Sequence, residues 1–221
     1  MMMMDRVKLI LWLLMTFLAI GISIYALAFF ATTTLGSPEF KQHFASIPLS
    51  ARLHIIPGGI ALLLGAFQFL PQLRSGWTNL HRYSGRLYVI AVLASAIGGF
   101  LLAWYAIRSP ATRLGFATLS ILWFYSGIMA FLAIRAGNIK LHQQWMIRSY
   151  ALTLAGVTLR LQLYALGKWL GLSFDQAYDV VAWFSWLPNL IIAEWLFIQS
   201  PLPGAKRTAA NPRENSQPTT N

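Results

Sequence analysis

The sequence predicts an all-α integral membrane bundle of six transmembrane helices, with the N- and C-termini both cytoplasmic. Three observations predict it. The chain of 221 residues is 57% hydrophobic and only 10% charged, whereas a soluble domain is about a quarter charged. Six apolar runs approach the ~20 residues that span a bilayer. The Lys and Arg residues alternate between loops, with eleven on one side, five on the other and Arg160 inside a run. Positive charge is retained on the cytoplasmic side.

The first run, 7–30, follows Asp5, Arg6 and Lys8. A signal peptide has a similar basic start, but its apolar core is only ~7–15 residues, so this run reads as an uncleaved first span. Cleavage after the Ala31–Thr34 segment is the minor alternative, and Met1 to Met4 read as start-site ambiguity. The later runs are 53–70, 86–107, 114–134, 147–166 and 180–199. Pro71 and Gly76 stop the second, Ser109-Pro110 parts the third from the fourth, and Gly137-Asn138 ends the fourth. Gly167 and Gly171 follow the fifth, and Pro201 and Pro203 the sixth. Residues 1–203 thus form the transmembrane domain. The tail 204–221 is rich in Pro, Asn, Thr and Arg, lacks apolar residues for a core, and is expected to be disordered. Trp12, Trp77, Trp104, Trp169 and Trp195 lie near span ends, as interfacial belts require.

The net charge is +11. Its carriers sit in short loops between spans rather than on a soluble face, so the expected partner is membrane lipid and not nucleic acid. The chain has no cysteine, which excludes disulfides, thiolate metal sites and cysteine nucleophiles. Paired carboxylates, a Walker loop, a dinucleotide fingerprint and a zinc-hydrolase motif are likewise missing. No residue set points to a catalytic activity.

Three predicted helices carry a small or polar face headed by a histidine. A helix turns about 100° per residue, so His142, Met146, Ser149, Thr153, Gly156 and Arg160 fall within roughly 40° of one line. The same spacing joins His81 to Ser84, Gly85, Tyr88, Ser95 and Gly99, and His54 to Gly58, Ala61, Gly65, Gln68 and Gln72. Such stripes serve as helix-packing interfaces or leave room for a flat ligand. Asn79 and Asn138 are candidate N-caps just before His81 and His142. Pro57 places the start of the second span near His54. His43 lies in the outer loop.

His81 and His142, near one membrane face, form a candidate pair of haem b iron ligands. Arg82, Arg86 and Arg148 beside them could pair with propionates. Electron transfer to a quinone or another redox partner would follow. Arg160 carries a different hypothesis. It lies ~18 Å along the helix from Arg148, too deep to snorkel easily to the cytoplasm, so it needs polar partners within the bundle. Asn189 and span carbonyls are the expected neighbours, with Glu194 a poorer match in depth. With His54, these define an intramembrane polar site for a lipid or small anion, in a non-enzymatic binding or transport protein.

Several segments resemble a known family: Leu80-His81-Arg82-Tyr83-Ser84-Gly85-Arg86-Leu87-Tyr88, then His142-Gln143-Gln144-Trp145-Met146-Ile147-Arg148-Ser149-Tyr150, then Arg160, then Trp186-Leu187-Pro188-Asn189-Leu190. Over about residues 50–200 the chain resembles bacterial predicted membrane proteins of the domain of unknown function 2306. That resemblance implies a multi-pass protein of a bacterial inner membrane and assigns no activity. A looser similarity to two-haem b-type transmembrane cytochromes implies paired histidines on alternate helices. The fourth span departs from that pattern, because it offers no histidine to partner His54.

Overall fold

A computed structural model describes residues 6–30, 41–42, 45, 47–106 and 109–198. Met1 to Met4, the Ala31–Thr34 segment, His43, Arg108 and the tail 204–221 lie outside them. Among the described residues the regular structure is entirely helical. We number the helices α1 (Arg6–Ala28), α2 (Pro48–Gln68), α3 (Pro71–Gly76), α4 (Thr78–Ala106), α5 (Pro110–Arg135), α6 (Ile139–Thr153), α7 (Ala155–Leu170), α8 (Phe174–Phe184) and α9 (Leu187–Ala193). A π-helical turn, Glu194–Ile198, follows α9.

Five helical stretches are long and apolar enough to cross a membrane: Leu9–Ala28, Pro48–Gln68, Thr78–Tyr105, Pro110–Arg135 and Phe174–Ile198. The stretch expected to cross at 147–166 is not one helix. It is divided at Leu154 into α6 and α7, of 15 and 16 residues, each shorter than the ~20 a crossing takes. Side chains compete there for the backbone. Thr153 Oγ1 donates to the Ser149 carbonyl at 2.8 Å and Thr158 Oγ1 to that of Leu154 at 3.0 Å. Such back-bonding weakens and bends a helix.

Two other boundaries depart from the sequence reading. Asn138 does cap α6, its side chain accepting the Leu141 N–H at 2.9 Å, but α4 begins at Thr78 and so encloses Asn79. Pro57 lies within α2, which starts nine residues earlier at Pro48. Gly137 and Gly171 take positive φ values of 73° and 63° at the ends of α5 and α7, the left-handed turn glycine supplies without a Cβ clash.

The long helices α1, α2, α4, α5 and α6 alternate in direction along the chain. α2 packs along α4, α4 along α5 and α5 along α6, while α1 lies against α2. Small residues make the α2–α4 approach close. A Cβ on Gly98 would stand 2.6 Å from the His54 backbone nitrogen and 2.8 Å from the Ser50 carbonyl oxygen. Large apolar side chains instead face outward. Phe17 of α1 is 73% exposed, and Trp77, Trp104, Trp169 and Trp195 are all exposed, as lipid-facing and interfacial residues are. Trp12 turns inward, its Nε1–H donating to the Ala66 carbonyl at 3.2 Å.

The contact at Gly98 gives a prediction. Gly98→Ala should destabilise the protein by about 1–3 kcal/mol, because the new methyl meets backbone that cannot swing aside. Gly21→Ala, where a Cβ meets nothing within 4 Å, should be neutral or stabilising by up to about 1 kcal/mol. Thermal denaturation in detergent distinguishes them, and equal midpoints for the two variants would refute the close approach.

Candidate functional site

A cavity of about 490 Å³ opens inside the bundle, lined by α1, α2, α4, α5, the α6–α7 break and α8. That volume falls within the ~300–1,000 Å³ of small-molecule sites. Its walls come from the second half of α1, the first half of α2, the end of α4 and the start of α5. It therefore occupies the end of the bundle opposite the N-terminus. Most of the lining is apolar or aromatic, and the polar lining is concentrated in His54, Arg160, Thr153, Ser120 and the two tyrosines Tyr25 and Tyr178.

Arg160 reaches the cavity from the first turns of α7. Its Nη1–H donates to the Gly156 carbonyl at 2.6 Å. Its guanidinium lies over the Tyr25 ring, 5.2 Å from the centroid, within cation–π range. A guanidinium has five N–H donors, and Gly156 engages one. No carboxylate neutralises it among the described residues, and Glu194 is paired with Arg148 instead. Asp179 accepts a hydrogen bond from Thr112.

His54 is held from one side. Its Nδ1 lies 2.9 Å from the Ser95 carbonyl oxygen, and Ser95 Oγ donates to the His54 carbonyl at 2.6 Å. Gly99 makes room for the ring, since a Cβ there would be 2.8 Å from Nδ1. Behind the cavity wall a second polar cluster joins α4, α5 and α6. Trp123 Nε1–H donates to Thr153 Oγ1 at 2.9 Å, and the Tyr88 hydroxyl lies 3.1 Å from Thr153 Oγ1 and 3.0 Å from Ser149 Oγ. Thr153 has its own proton on the Ser149 carbonyl. Tyr88 therefore donates to Thr153 and accepts from Ser149, and the cluster is closed.

The line from Met146 through Ser149 and Thr153 is buried, and Gly156 and Arg160 continue it into the cavity. Asn189 stands elsewhere. The two N–H groups of its Nδ2 are shared among three acceptors, the Ala151 and Ser185 carbonyls at 3.3 and 3.1 Å and Thr158 Oγ1 at 3.0 Å. Asn189 thus secures the break at Leu154 rather than contacting Arg160. The single Thr158 hydroxyl proton is shared between the Leu154 carbonyl and the closer Ser185 carbonyl, at 3.0 and 2.5 Å. Pro188 has no N–H for the Phe184 carbonyl one turn earlier, and Gln162 of α7 fills the gap, its Nε2–H donating there at 2.9 Å. Two interrupted helical rods, α6–α7 and α8–α9, are stitched together where each is broken.

The residues gathered for haem lie toward the other end of the bundle and outside this cavity. His142 Nδ1–H donates to the Ala130 carbonyl at 2.8 Å, whereas His81 Nδ1 is buried without a partner. Arg148 is committed to Glu194, with contacts of 2.5 and 3.0 Å, and stacks 4.6 Å from the Trp145 centroid. Arg82 and Arg86 are exposed, the latter over the Tyr83 ring. Of the residues gathered for haem, Arg148 has an acidic partner within the bundle, and His81 is half-buried.

The sequence reading did not pick out Tyr25, Tyr178, Trp123, Ser120 or Gln162. Gln162 carried a readable signal: a buried-span amide can answer the carbonyl that a mid-span proline leaves open. Tyr25 and Tyr178 carried none, because their approach to Arg160 depends on packing between helices remote in sequence.

A family model described as "Predicted membrane protein (DUF2306)" matches residues 51–197. The chain belongs to the DUF2306 family. The DUF2306 match takes in His54, Arg160 and both helix interruptions but not α1, which supplies Tyr25. No curated protein and no solved structure matches the chain.

Replacing Asn189 tests the stitching. Asn189→Leu should lower stability by about 1–3 kcal/mol, since the carbonyls of Ala151 and Ser185 lose a buried donor. The thermal midpoint in detergent should fall, while a swap at lipid-facing Ile191 to Leu should leave it unchanged. An unaltered midpoint for Asn189→Leu would contradict the role given to this residue.

Proposed function

We propose that this DUF2306 protein is a non-enzymatic membrane binding or transport protein that holds an acidic molecule in the cavity lined by Arg160, with Arg160 as the anion contact. One observation carries the reading. Arg160 lines an apolar cavity with most of its N–H donors uncommitted and no acidic partner among the described residues. A lone cation in hydrocarbon is costly and acquires a counter-charge from protein, water or ligand. The cavity size suits an acid with an apolar body, a lipid fragment or a small amphiphile. A fixed cation among aromatic walls would attract the acid group while the apolar body displaces water.

The topology that accompanies this reading has six crossings, with the split α6–α7 rod serving as the fifth and both termini in the cytoplasm of a bacterial cell. The eleven-to-five distribution of Lys and Arg supports it. The cavity then lies in the outer half of the membrane and the His81–His142 end in the inner half. Discontinuous helices beside a polar site are a feature of transporters, where broken backbone lines a cavity.

The test is ligand-dependent stability of the purified protein. Dodecanoate should raise the thermal midpoint of the wild type, and dodecanol, of equal chain length without the charge, should raise it much less. Saturation at about 100 times Kd corresponds to ~2.7 kcal/mol. Arg160→Leu should abolish the difference between the two probes. Arg160→Lys should restore part of it, because lysine keeps the charge but not the planar fork. Equal responses to acid and alcohol, unaffected by Arg160→Leu, would overturn the proposal. A Soret band with sharp reduced α and β bands in the same preparation would instead favour the haem reading.

A further inference from the structure

His54 adds a second requirement to the ligand. Its Nδ1 lies 2.9 Å from the Ser95 carbonyl oxygen, an acceptor with no proton to give, so Nδ1 carries the hydrogen. In the neutral ring the other nitrogen, Nε2, is then an acceptor only. The arrangement is enforced by α4. Ser95 Oγ donates to the His54 carbonyl, and the glycines at 98 and 99 bring α4 against the ring and its backbone. Nε2 is neither hydrogen-bonded within the protein nor sealed from the cavity that His54 lines. The same cavity therefore presents a multidentate donor at Arg160 and an acceptor at His54.

We propose that the ligand is an acidic amphiphile that also carries a hydroxyl or comparable O–H donor, its acid group on Arg160 and its hydroxyl donating to His54 Nε2. This inference rests on the anion-binding reading above and names the substrate class for that site. An acid without a donor would leave Nε2 unpaired in a desolvated pocket. A neutral alcohol would leave the guanidinium without its counter-charge. A site built to hydrogen-bond a ligand hydroxyl discriminates against the analogue lacking it, because its own buried polar group is left unmatched.

The experiment measures binding to the full-length protein in nanodiscs by isothermal calorimetry, with dodecanoate, 2-hydroxydodecanoate, 12-hydroxydodecanoate and the two corresponding methyl ethers as probes. One hydroxy acid should bind about tenfold tighter than dodecanoate, and its methyl ether should lose that gain. His54→Asn retains an N–H near the Nδ1 position for Ser95 and removes the Nε2 acceptor, so whatever its affinity for dodecanoate, it should bind the hydroxy acid no more than about threefold tighter than dodecanoate. His54→Gln, which places its amide near Nε2, should recover part of the preference. If dodecanoate binds with Arg160 dependence but neither hydroxyl changes affinity by more than about threefold, the hydroxyl proposal is wrong and the anion site stands. Retention of the preference in His54→Asn also overturns it. If no acid binds, the anion-binding reading fails and this inference fails with it.

Discussion

The charge of Arg160 is the constraint around which the bundle makes sense. A guanidinium cannot lie in hydrocarbon without partners, and the described residues supply it with one carbonyl and one aromatic face. Glu194, the acidic residue of the last span and already a poorer match in depth, is paired with Arg148. Space, rather than a carboxylate, surrounds the guanidinium: the cavity begins where the α6–α7 rod is interrupted. Small residues then do two jobs. On the α2–α4 seam they let backbones touch, and near His54 they make room for the imidazole ring.

An interrupted helix inside a membrane exposes carbonyls that water would otherwise satisfy, and each must find a donor within the protein. Here two interruptions satisfy one another. Asn189 from α9 reaches the Ala151 and Ser185 carbonyls, Thr158 from α7 reaches Ser185, and Gln162 answers the carbonyl opposite Pro188. These bonds give a physical reason for the polar residues in both rods. They also fix the level at which Arg160 leaves the backbone, two residues past Thr158.

Much of this was legible in the chain, and the reasons for the rest are specific. Apolar runs and punctuation marked the helices because lipid imposes a length and a composition on each. The inward stripe through Ser149, Thr153 and Gly156 was visible because helical period alone puts those residues on one line. The break at Leu154 was not: neither proline nor a glycine pair marks it, and it depends on hydroxyls and on an asparagine nearly forty positions away. Asn189 was recognised as a partner for the fifth span, yet its depth matched Arg160 while its bonds go to backbone. Position along a helix gives level but not azimuth, and azimuth decided the partner. The histidines show the same limit. His81 and His142 stood out by sequence context as a ligand pair, whereas His54, grouped by the sequence reading with Arg160 in a polar site, is the one that lines the cavity.

The account turns on where residue 160 points. The chain has no cysteine, so a single cysteine at 160 can carry an environment-sensitive fluorophore in nanodiscs, with a second variant labelled at Phe17, which is 73% exposed on α1. Quenching by lipids with brominated acyl chains then reports contact with the bilayer. The bundle described here predicts strong quenching at 17 and little at 160. Quenching at 160 as strong as at 17 would place the side chain in lipid and contradict the inward cavity with its arginine.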